Sequence, residues 1–133
     1  MIEKQFDVPA NPTTAQAKLD EAYRYHQDKD FGDSRNLFRA VRSFQESRDY
    51  RGGILAASDD RVYAAARDEL VNKLDTLYNL GRLAEKQGRT TEARKRYEEL
   101  LSYLLPESEP GEQTSPSRAF WRHVQSRIKR LGK

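Results

Sequence analysis

The chain has 133 residues, of which 34% are charged and 10% aromatic, and its formal net charge is +3. This length suits one domain with a modest hydrophobic core. Because the sequence contains no cysteine, disulfides, zinc fingers, thiolate catalysis and iron–sulfur ligation are excluded. Helix-favouring residues are abundant and β-branched residues are few, so the composition predicts an all-α protein.

Residues 1–12 are predicted to form a flexible polar segment. No stretch of the sequence approaches the run of about 20 apolar residues that a membrane-spanning helix needs. The start also lacks the basic and apolar blocks of a signal peptide. We therefore expect a cytoplasmic protein by default, with the cell envelope or periplasm as the alternative if a leader has been removed.

Two short antiparallel helices are predicted next, the first over residues 14–29 and the second near 34–47. Thr13 or Thr14 is a candidate N-cap of the first helix. In both segments apolar residues recur at intervals of three and four, which is the spacing of one helical face. These residues are Ala15, Leu19 and Ala22 in the first segment, and Leu37, Phe38, Val41 and Phe44 in the second.

The stretch from 48 to 58 is ambiguous, because Gly52 and Gly53 disfavour a regular helix while the four residues after them are apolar. We predict a turn and a short helix here. Ser58 is then the expected N-cap of a long helix over residues 59–87. Its apolar stripe consists of Val62, Ala66, Leu70, Leu74, Leu77 and Gly81.

Gly88 is expected to end the long helix as a left-handed cap. Thr90 or Thr91 begins the next helix, and Pro106 should end it. The apolar residues that this helix would carry are Ala93, Tyr97, Leu100, Leu101 and Leu104.

A polar linker is predicted over residues 106–116, which include several prolines and glutamates. A basic helix over 117–131 follows it, and Pro116 is suited to the first helical position. The apolar stripe of this helix is Phe120, Val124, Ile128 and Leu131, with Trp121 on its edge.

The stretch LYNLGRLAEKQGRTTEARKRYEELL, residues 77–101, resembles a tetratricopeptide repeat. Small residues at Gly81 and Ala93 would let two helices approach, and Tyr97 would fill the space beside them. This closer packing would offset the cost of about 1 kcal/mol for a glycine inside a helix. The residues that carry the resemblance are Leu80, Gly81, Gly88, Ala93 and Tyr97. The first hairpin repeats the same spacing more faintly through Ala22, Ser34 and Phe38.

The resemblance implies antiparallel hairpins stacked as a short tetratricopeptide-like solenoid over residues 13–105. An insertion at about 49–73 would separate the two repeats, and the C-terminal helix would pack on the domain as a cap. The alternative is an ordinary helical bundle with a repeat-like hairpin. A further alternative treats 48–58 as a degenerate third turn, which would pair the helices differently.

The same resemblance implies a non-enzymatic interaction module, such as an adaptor, a scaffold or an assembly factor. Members of this family bind a peptide or a partner helix on the inner face of their first helices, in a groove between hairpins. Carried over by position, the partner-binding residues are Tyr23, His26, Tyr78, Asn79, Arg82 and Lys86. Plain helix surface, or packing against the insertion in the case of the two tyrosines, is the alternative interpretation.

Patterns for catalysis and for metal binding are missing from the sequence. Its only histidines, His26 and His123, lack a second histidine three or four residues away. The chain has no phosphate-binding loop and no Gly-x-Ser-x-Gly elbow. We therefore expect no enzymatic activity, no cofactor and no metal.

The charges are distributed unevenly. Residues 1–112 contain 18 basic and 21 acidic residues, whereas residues 113–133 contain six basic residues and no acidic one. This distribution indicates an alternative function, the binding of nucleic acid or another anionic surface by the C-terminal helix. The candidate anion-binding residues are Arg118, Arg122, Arg127, Lys129 and Arg130. Nucleic acid is disfavoured by the modest overall charge, and self-association through Trp121 is a more remote alternative.

Overall fold

The structure is a computed structural model that describes residues 9–104 and 116–132. Within these residues the chain forms helices and no strand, which confirms the all-α prediction. None of the helices described is long and apolar enough to cross a membrane. The helices are α1 (Pro12–Asp28), α2 (Asn36–Tyr50), α3 (Ala57–Lys86), α4 (Thr90–Leu101) and α5 (Pro116–Leu131).

Helix α1 is capped by Asn11 and not by either of the predicted threonines. The Asn11 Oδ1 atom accepts a hydrogen bond from the Thr14 backbone N–H at 3.1 Å, and Pro12 occupies the first helical position. This arrangement is favourable because asparagine is a strong N-cap, and the missing N–H of proline costs nothing at this position. Of the predicted N-terminal segment, residues 1–8 lie outside the described part of the chain.

Helices α1 and α2 pack against each other as the predicted antiparallel pair. The Asn11 N–H donates to the Tyr50 carbonyl at 2.9 Å, and the Ser47 hydroxyl donates to the Ala15 carbonyl at 2.7 Å. Residues later in α1 therefore pair with residues earlier in α2, which is the antiparallel arrangement. The buried apolar residues of this pair are Ala15, Ala22, Leu37, Ala40, Val41 and Phe44.

The prediction of a short helix between residues 48 and 58 is wrong. Helix α2 continues to Tyr50, and Gly52 and Gly53 then take positive φ angles of 92° and 97°, a conformation that glycine adopts without steric cost. Helix α3 begins at Ala57, so Ser58 lies in its first turn instead of capping it. The acidic residues predicted for that first turn, Asp59 and Asp60, are found there.

The chain divides into two compact units, Met1–Asp68 and Glu69–Lys133, and the boundary falls within α3. In the second unit Gly88 has a φ of 75° and the Arg89 N–H donates to the Ala84 carbonyl at 2.9 Å. The predicted left-handed cap is therefore confirmed. Thr90 is the first residue of α4, one of the two predicted starts.

Helix α4 ends at Leu101, several residues before Pro106, so proline is not what terminates the helix. Leu104 lies in the turn that follows α4, not on the helix itself, and is 1% exposed. The predicted linker lies outside the described residues except for Pro116, which begins α5 as expected. The fully buried side chains of this unit are Ala84, Ala93, Tyr97, Leu100 and Val124.

Gly81 is buried in α3, and Tyr97 occupies the space beside it, as the sequence predicted. The nearest atoms to a Cβ placed on Gly81 all belong to the ring of Tyr97 on α4. The gap therefore accommodates an aromatic side chain from the facing helix. This contact holds α3 and α4 together next to the candidate functional site.

Candidate functional site

The candidate site is a surface of the α3–α4 hairpin on which α5 lies. We call it the α5-binding surface and define it by Tyr78, Glu85 and Tyr97. The Tyr78 ring centroid is 6.1 Å from that of Tyr97 and 5.6 Å from that of Phe120 on α5. The Tyr78 hydroxyl and the His123 Nε2 atom share a hydrogen bond of 2.8 Å. Tyr78 therefore joins all three helices.

Glu85 is the charged centre of this surface. Its Oε1 atom accepts a hydrogen bond from the Tyr97 hydroxyl at 2.7 Å and another from the Arg127 Nε–H at 3.3 Å. The Tyr97 hydrogen bond is the main cause that lowers the pKa of Glu85 below its usual value, and the positive charge of Arg127 adds to it. Glu85 is thus an ionised acceptor held by two donors.

The local sequence explains why Glu85 is held in place. Gly81 and Glu85 lie one helical turn apart on α3, and Tyr97 fills the gap above Gly81 while its hydroxyl reaches Glu85. Burial and this hydrogen bond raise the pKa of Tyr97 to about 12, so its hydroxyl remains a donor at neutral pH. One buried side chain therefore connects the packing of the hairpin to the charge of its surface.

On α5, the residues that face this surface are spaced as one helical face. Phe120, His123 and Arg127 contact Tyr78 or Glu85, and Val124 between them is 0% exposed. These positions follow the i, i+3, i+4, i+7 pattern of one side of a helix. Within this unit α5 packs against α4.

The three remaining partner-binding candidates of the second unit lie beside this surface. Asn79, Arg82 and Lys86 are exposed, and intervals of three and four residues place them along one side of α3. The Arg82 guanidinium carbon is 5.9 Å from the Tyr78 ring centroid, a cation–π distance. We call these three residues the polar stripe of α3. Tyr78 itself is half-buried and in contact with α5.

In the first unit, Tyr23 is held by its own neighbours. Its hydroxyl donates to Asp59 Oδ1 at 2.6 Å, and its ring meets Phe44 edge-on at 5.2 Å. Burial, followed by the hydrogen bond to Asp59, raises the pKa of Tyr23 to about 12. The contact with Asp59 is packing against the predicted insertion, the alternative considered for this residue. His26 is half-buried near the end of α1.

The first hairpin differs from the second in its aromatic core. Phe38, the positional counterpart of Tyr97, is only half-buried, as is Ser34. The aromatic residue that fills the core of this unit is Phe44, which is 0% exposed and lies 6.0 Å from the Tyr63 ring centroid. Sequence spacing alone did not distinguish Phe38 from Phe44, since both lie on the apolar stripe.

The candidate anion-binding residues of α5 do not share one environment. Arg127 points inward to Glu85 and its side chain is 21% exposed. Arg122, Lys129 and Arg130 are exposed. Arg118 lies in the first turn of α5, and its side chain is outside the described residues. The helix thus has a basic outer side and an inner side that carries one paired arginine.

A groove lies in the described part of the second unit, and a cavity lies in that of the first. A groove of about 510 Å³ follows α3 and the end of α4, where the Lys73 ammonium lies 5.4 Å from the Tyr103 ring centroid. A cavity of about 260 Å³ in the first unit is lined by Ser47, Arg51 and Asp59 among others. In the described part of the chain, no group of three or more histidine and acidic side chains is arranged to hold a metal ion.

The chain was compared with protein-family models, with curated proteins and with solved structures. None of them matches it. The function is therefore inferred from the residues and distances given above.

Proposed function

We propose that this protein is a non-enzymatic interaction module of tetratricopeptide-like hairpins, which serves as an adaptor, a scaffold or an assembly factor. The observation that supports the proposal is that the α3–α4 hairpin holds a helix, α5, against Tyr78 and Glu85. A surface that retains one amphipathic helix has the shape and chemistry for helix recognition.

The polar stripe of α3 supplies the contacts for a partner. Arg82 and Lys86 offer charged donors for carboxylates, and the Asn79 amide offers both a donor and an acceptor for a peptide backbone. All three side chains are exposed beside a surface that already binds a helix. We propose that a peptide or a partner helix lies along this stripe.

The tetratricopeptide-like character of the fold is part of the same proposal. The packing of Gly81 against Tyr97 and the left-handed Gly88 are the features that such a hairpin requires. The complete proposed arrangement is a short solenoid of stacked hairpins with α5 as its C-terminal cap.

Crosslinking from the polar stripe tests this proposal. A photo-reactive amino acid at position 79 would mark proteins that touch the stripe in cells. The variant Arg82→Glu/Lys86→Glu should lose those crosslinked partners. The matched control Arg89→Glu/Lys95→Glu reverses two other exposed charges and should retain them. An identical set of partners with both variants would refute the stripe as the binding site. Tyr78→Ala is unsuitable here because it also removes a contact with α5.

A second candidate function, binding of nucleic acid or an anionic membrane surface, is favoured by the outer side of α5. Since Arg127 is directed toward Glu85, the opposite side of α5 presents Lys129 to solvent, and Arg122, seven residues earlier on that side, is exposed as well. Neutralised phosphates would make such binding depend steeply on salt. Retention on random-sequence DNA or on anionic vesicles at low salt should decrease in Arg122→Glu/Lys129→Glu. If neither probe retains the wild-type protein, this function is excluded.

A further inference from the structure

We infer that α5 is an internal ligand, and that an amphipathic basic helix from another protein takes its place on Tyr78 and Glu85. This inference rests on the proposed function, because it names the class of partner that the module binds. It also adds a step, since the partner must displace α5. Four features of the second unit support it.

The receptor side is built without α5. Gly81, Glu85 and Tyr97 all belong to the α3–α4 hairpin, and the Tyr97 ring packs on Gly81 within it. The hydrogen bond from the Tyr97 hydroxyl to Glu85 joins two residues of the hairpin, so the carboxylate has a donor that does not come from α5. A preorganised acceptor of this kind reduces the entropy lost on binding.

The ligand side is defined by what α5 presents. Phe120 contacts the Tyr78 ring, His123 bonds the Tyr78 hydroxyl, and Arg127 pairs with Glu85. Val124 fills the space between them with its side chain fully buried. A competing helix therefore needs an aromatic residue, a hydrogen-bonding residue three positions later, a β-branched residue at four and an arginine at seven.

The contact made by α5 is shallow. Val124 is its fully buried residue among those whose side chains are described, whereas Phe120, Trp121, Ile128 and Leu131 are half-buried. Helix α2 of the first unit, in contrast, buries Leu37, Ala40, Val41 and Phe44. Because α5 has fewer deep anchors, its release exposes less apolar surface than the release of an ordinary core helix would.

Because α5 is part of the same chain as the hairpin, a competing helix needs a higher affinity for the hairpin than α5 itself has. Fourteen residues separate the end of α4 from the start of α5. Because α5 and the hairpin belong to one chain, the effective concentration of α5 is of the order of millimolar. An external helix with the same contacts would thus bind weakly, and one that also reaches Asn79, Arg82 or Lys86 would bind more tightly. Contacts with the polar stripe would therefore give a partner a higher affinity than α5 has.

A peptide that copies α5 tests the inference directly. The probe is residues 116–132 with a fluorescent label and with Trp121→Phe, so that the single tryptophan of the chain reports on α5 itself. The full-length Arg127→Glu variant places two carboxylates together and should release its own α5. We expect it to bind the probe at least about tenfold more tightly than the wild type does, because the competing closed state is depopulated.

Charge reversal and matched controls define the contact. In Arg127→Glu/Glu85→Arg the pair is restored with opposite sign, so α5 should close again and the probe, which carries Arg127, should not bind. Arg127→Gln, which removes the ion pair without repulsion, should give an intermediate affinity. The control Lys129→Glu makes the same charge change on the exposed side of α5 and should behave as the wild type. Addition of excess probe to the wild type should shift the emission of Trp121.

Three results would overturn the inference. The first is equal probe affinity in the wild type and in Arg127→Glu. The second is no probe binding by Arg127→Glu and Arg127→Gln while circular dichroism shows intact helices. The third is a concentration-dependent dimer of the wild type that requires Arg127, since the occupant would then be α5 of a second copy. None of these results depends on partner capture by the polar stripe, so the two proposals fail separately.

Discussion

The Tyr97 ring of α4 lies where the side chain of residue 81 in α3 would otherwise be. A Cβ on Gly81 would be 2.7 Å from the Cδ1 atom and 2.9 Å from the Cζ atom of Tyr97, and closer still to Cε1. Such distances are well inside van der Waals contact. The same ring carries the hydroxyl that bonds Glu85, so this one contact determines both the packing of the hairpin and its surface charge.

Gly81→Ala is therefore expected to destabilise the protein, although alanine is the better helix former. The Tyr97 ring is fully buried and its hydroxyl is hydrogen-bonded to Glu85, so the ring cannot move aside freely. Overpacking costs about 1 to 3 kcal/mol, and the gain in helix propensity is about 1 kcal/mol. We expect a net loss of about 1 kcal/mol in the free energy of unfolding, measured by urea denaturation.

A double-mutant cycle identifies the cause. In a Tyr97→Ala background the ring is gone, so Gly81→Ala should become stabilising by up to about 1 kcal/mol. Asn79→Ala, on the exposed side of the same helix, is the control and should change stability by less than about 0.5 kcal/mol. A stabilising effect of Gly81→Ala in the wild-type background would contradict the proposed packing.

The acid branch of the stability profile should contain a contribution from Glu85. Its pKa is lowered in the folded state, chiefly by the Tyr97 hydrogen bond. The stabilisation is thus fully present above the usual glutamate pKa, about 4.3, and is lost as the pH falls through the lower folded-state pKa. The free energy of unfolding, measured by urea denaturation, should decrease less between pH 6 and pH 3 in Glu85→Gln than in the wild type.

Asp33 is expected to contribute to the same acid branch, because the backbone N–H of Arg35 donates to its carboxylate and lowers its pKa. The difference between wild type and Glu85→Gln isolates the Glu85 share. Tyr97→Phe should reduce the Glu85 share as well, since it removes the main cause of the shift. Equal pH profiles for all three proteins would show that Glu85 is not held as described.

The alkaline branch of the stability profile depends on Tyr23 and on Tyr97, whose pKa is also raised to about 12, and Tyr23 provides the test. Burial and the bond to Asp59 raise its pKa to about 12, whereas a tyrosine in an unfolded chain titrates near 10. The folded state therefore retains a proton that the unfolded state loses, and stability is present below about pH 10 and decreases as the pH rises toward about 12. Tyr23→Phe should make the free energy of unfolding less dependent on pH between 9 and 11. Tyr25→Phe is the control, because the Tyr25 hydroxyl has no hydrogen bond to a carboxylate among residues 9–104 and 116–132.

Two phenylalanines of the first unit provide a contrast between a core position and a surface position. Phe44 is 0% exposed and packs on Tyr23, whereas Phe31 is 89% exposed in the turn after α1. Phe44→Ala should cost about 3 to 5 kcal/mol because it leaves a cavity. Phe31→Ala should change stability by less than about 0.5 kcal/mol. Thermal denaturation followed by circular dichroism measures both, and equal effects would contradict the assigned core.

Much of the helical framework could be predicted from the sequence. The stripes at intervals of three and four residues predicted helices where α1, α2 and α3 lie, and Gly88 and Pro116 indicated an end and a start that the structure contains. These features are local, because each helix is defined by hydrogen bonds and caps between residues close in the chain.

The contacts of the candidate site depended on the tertiary structure. Glu85 and Arg127 are 42 residues apart, and nothing in the spacing of either helix indicates that their faces meet. The same applies to Phe44 in place of Phe38, since a stripe shows which side of a helix is apolar but not which residue of that side lies deepest. Local hydrogen bonding determines the helices, whereas the packing of distant faces determines which charges are paired and which remain on the surface.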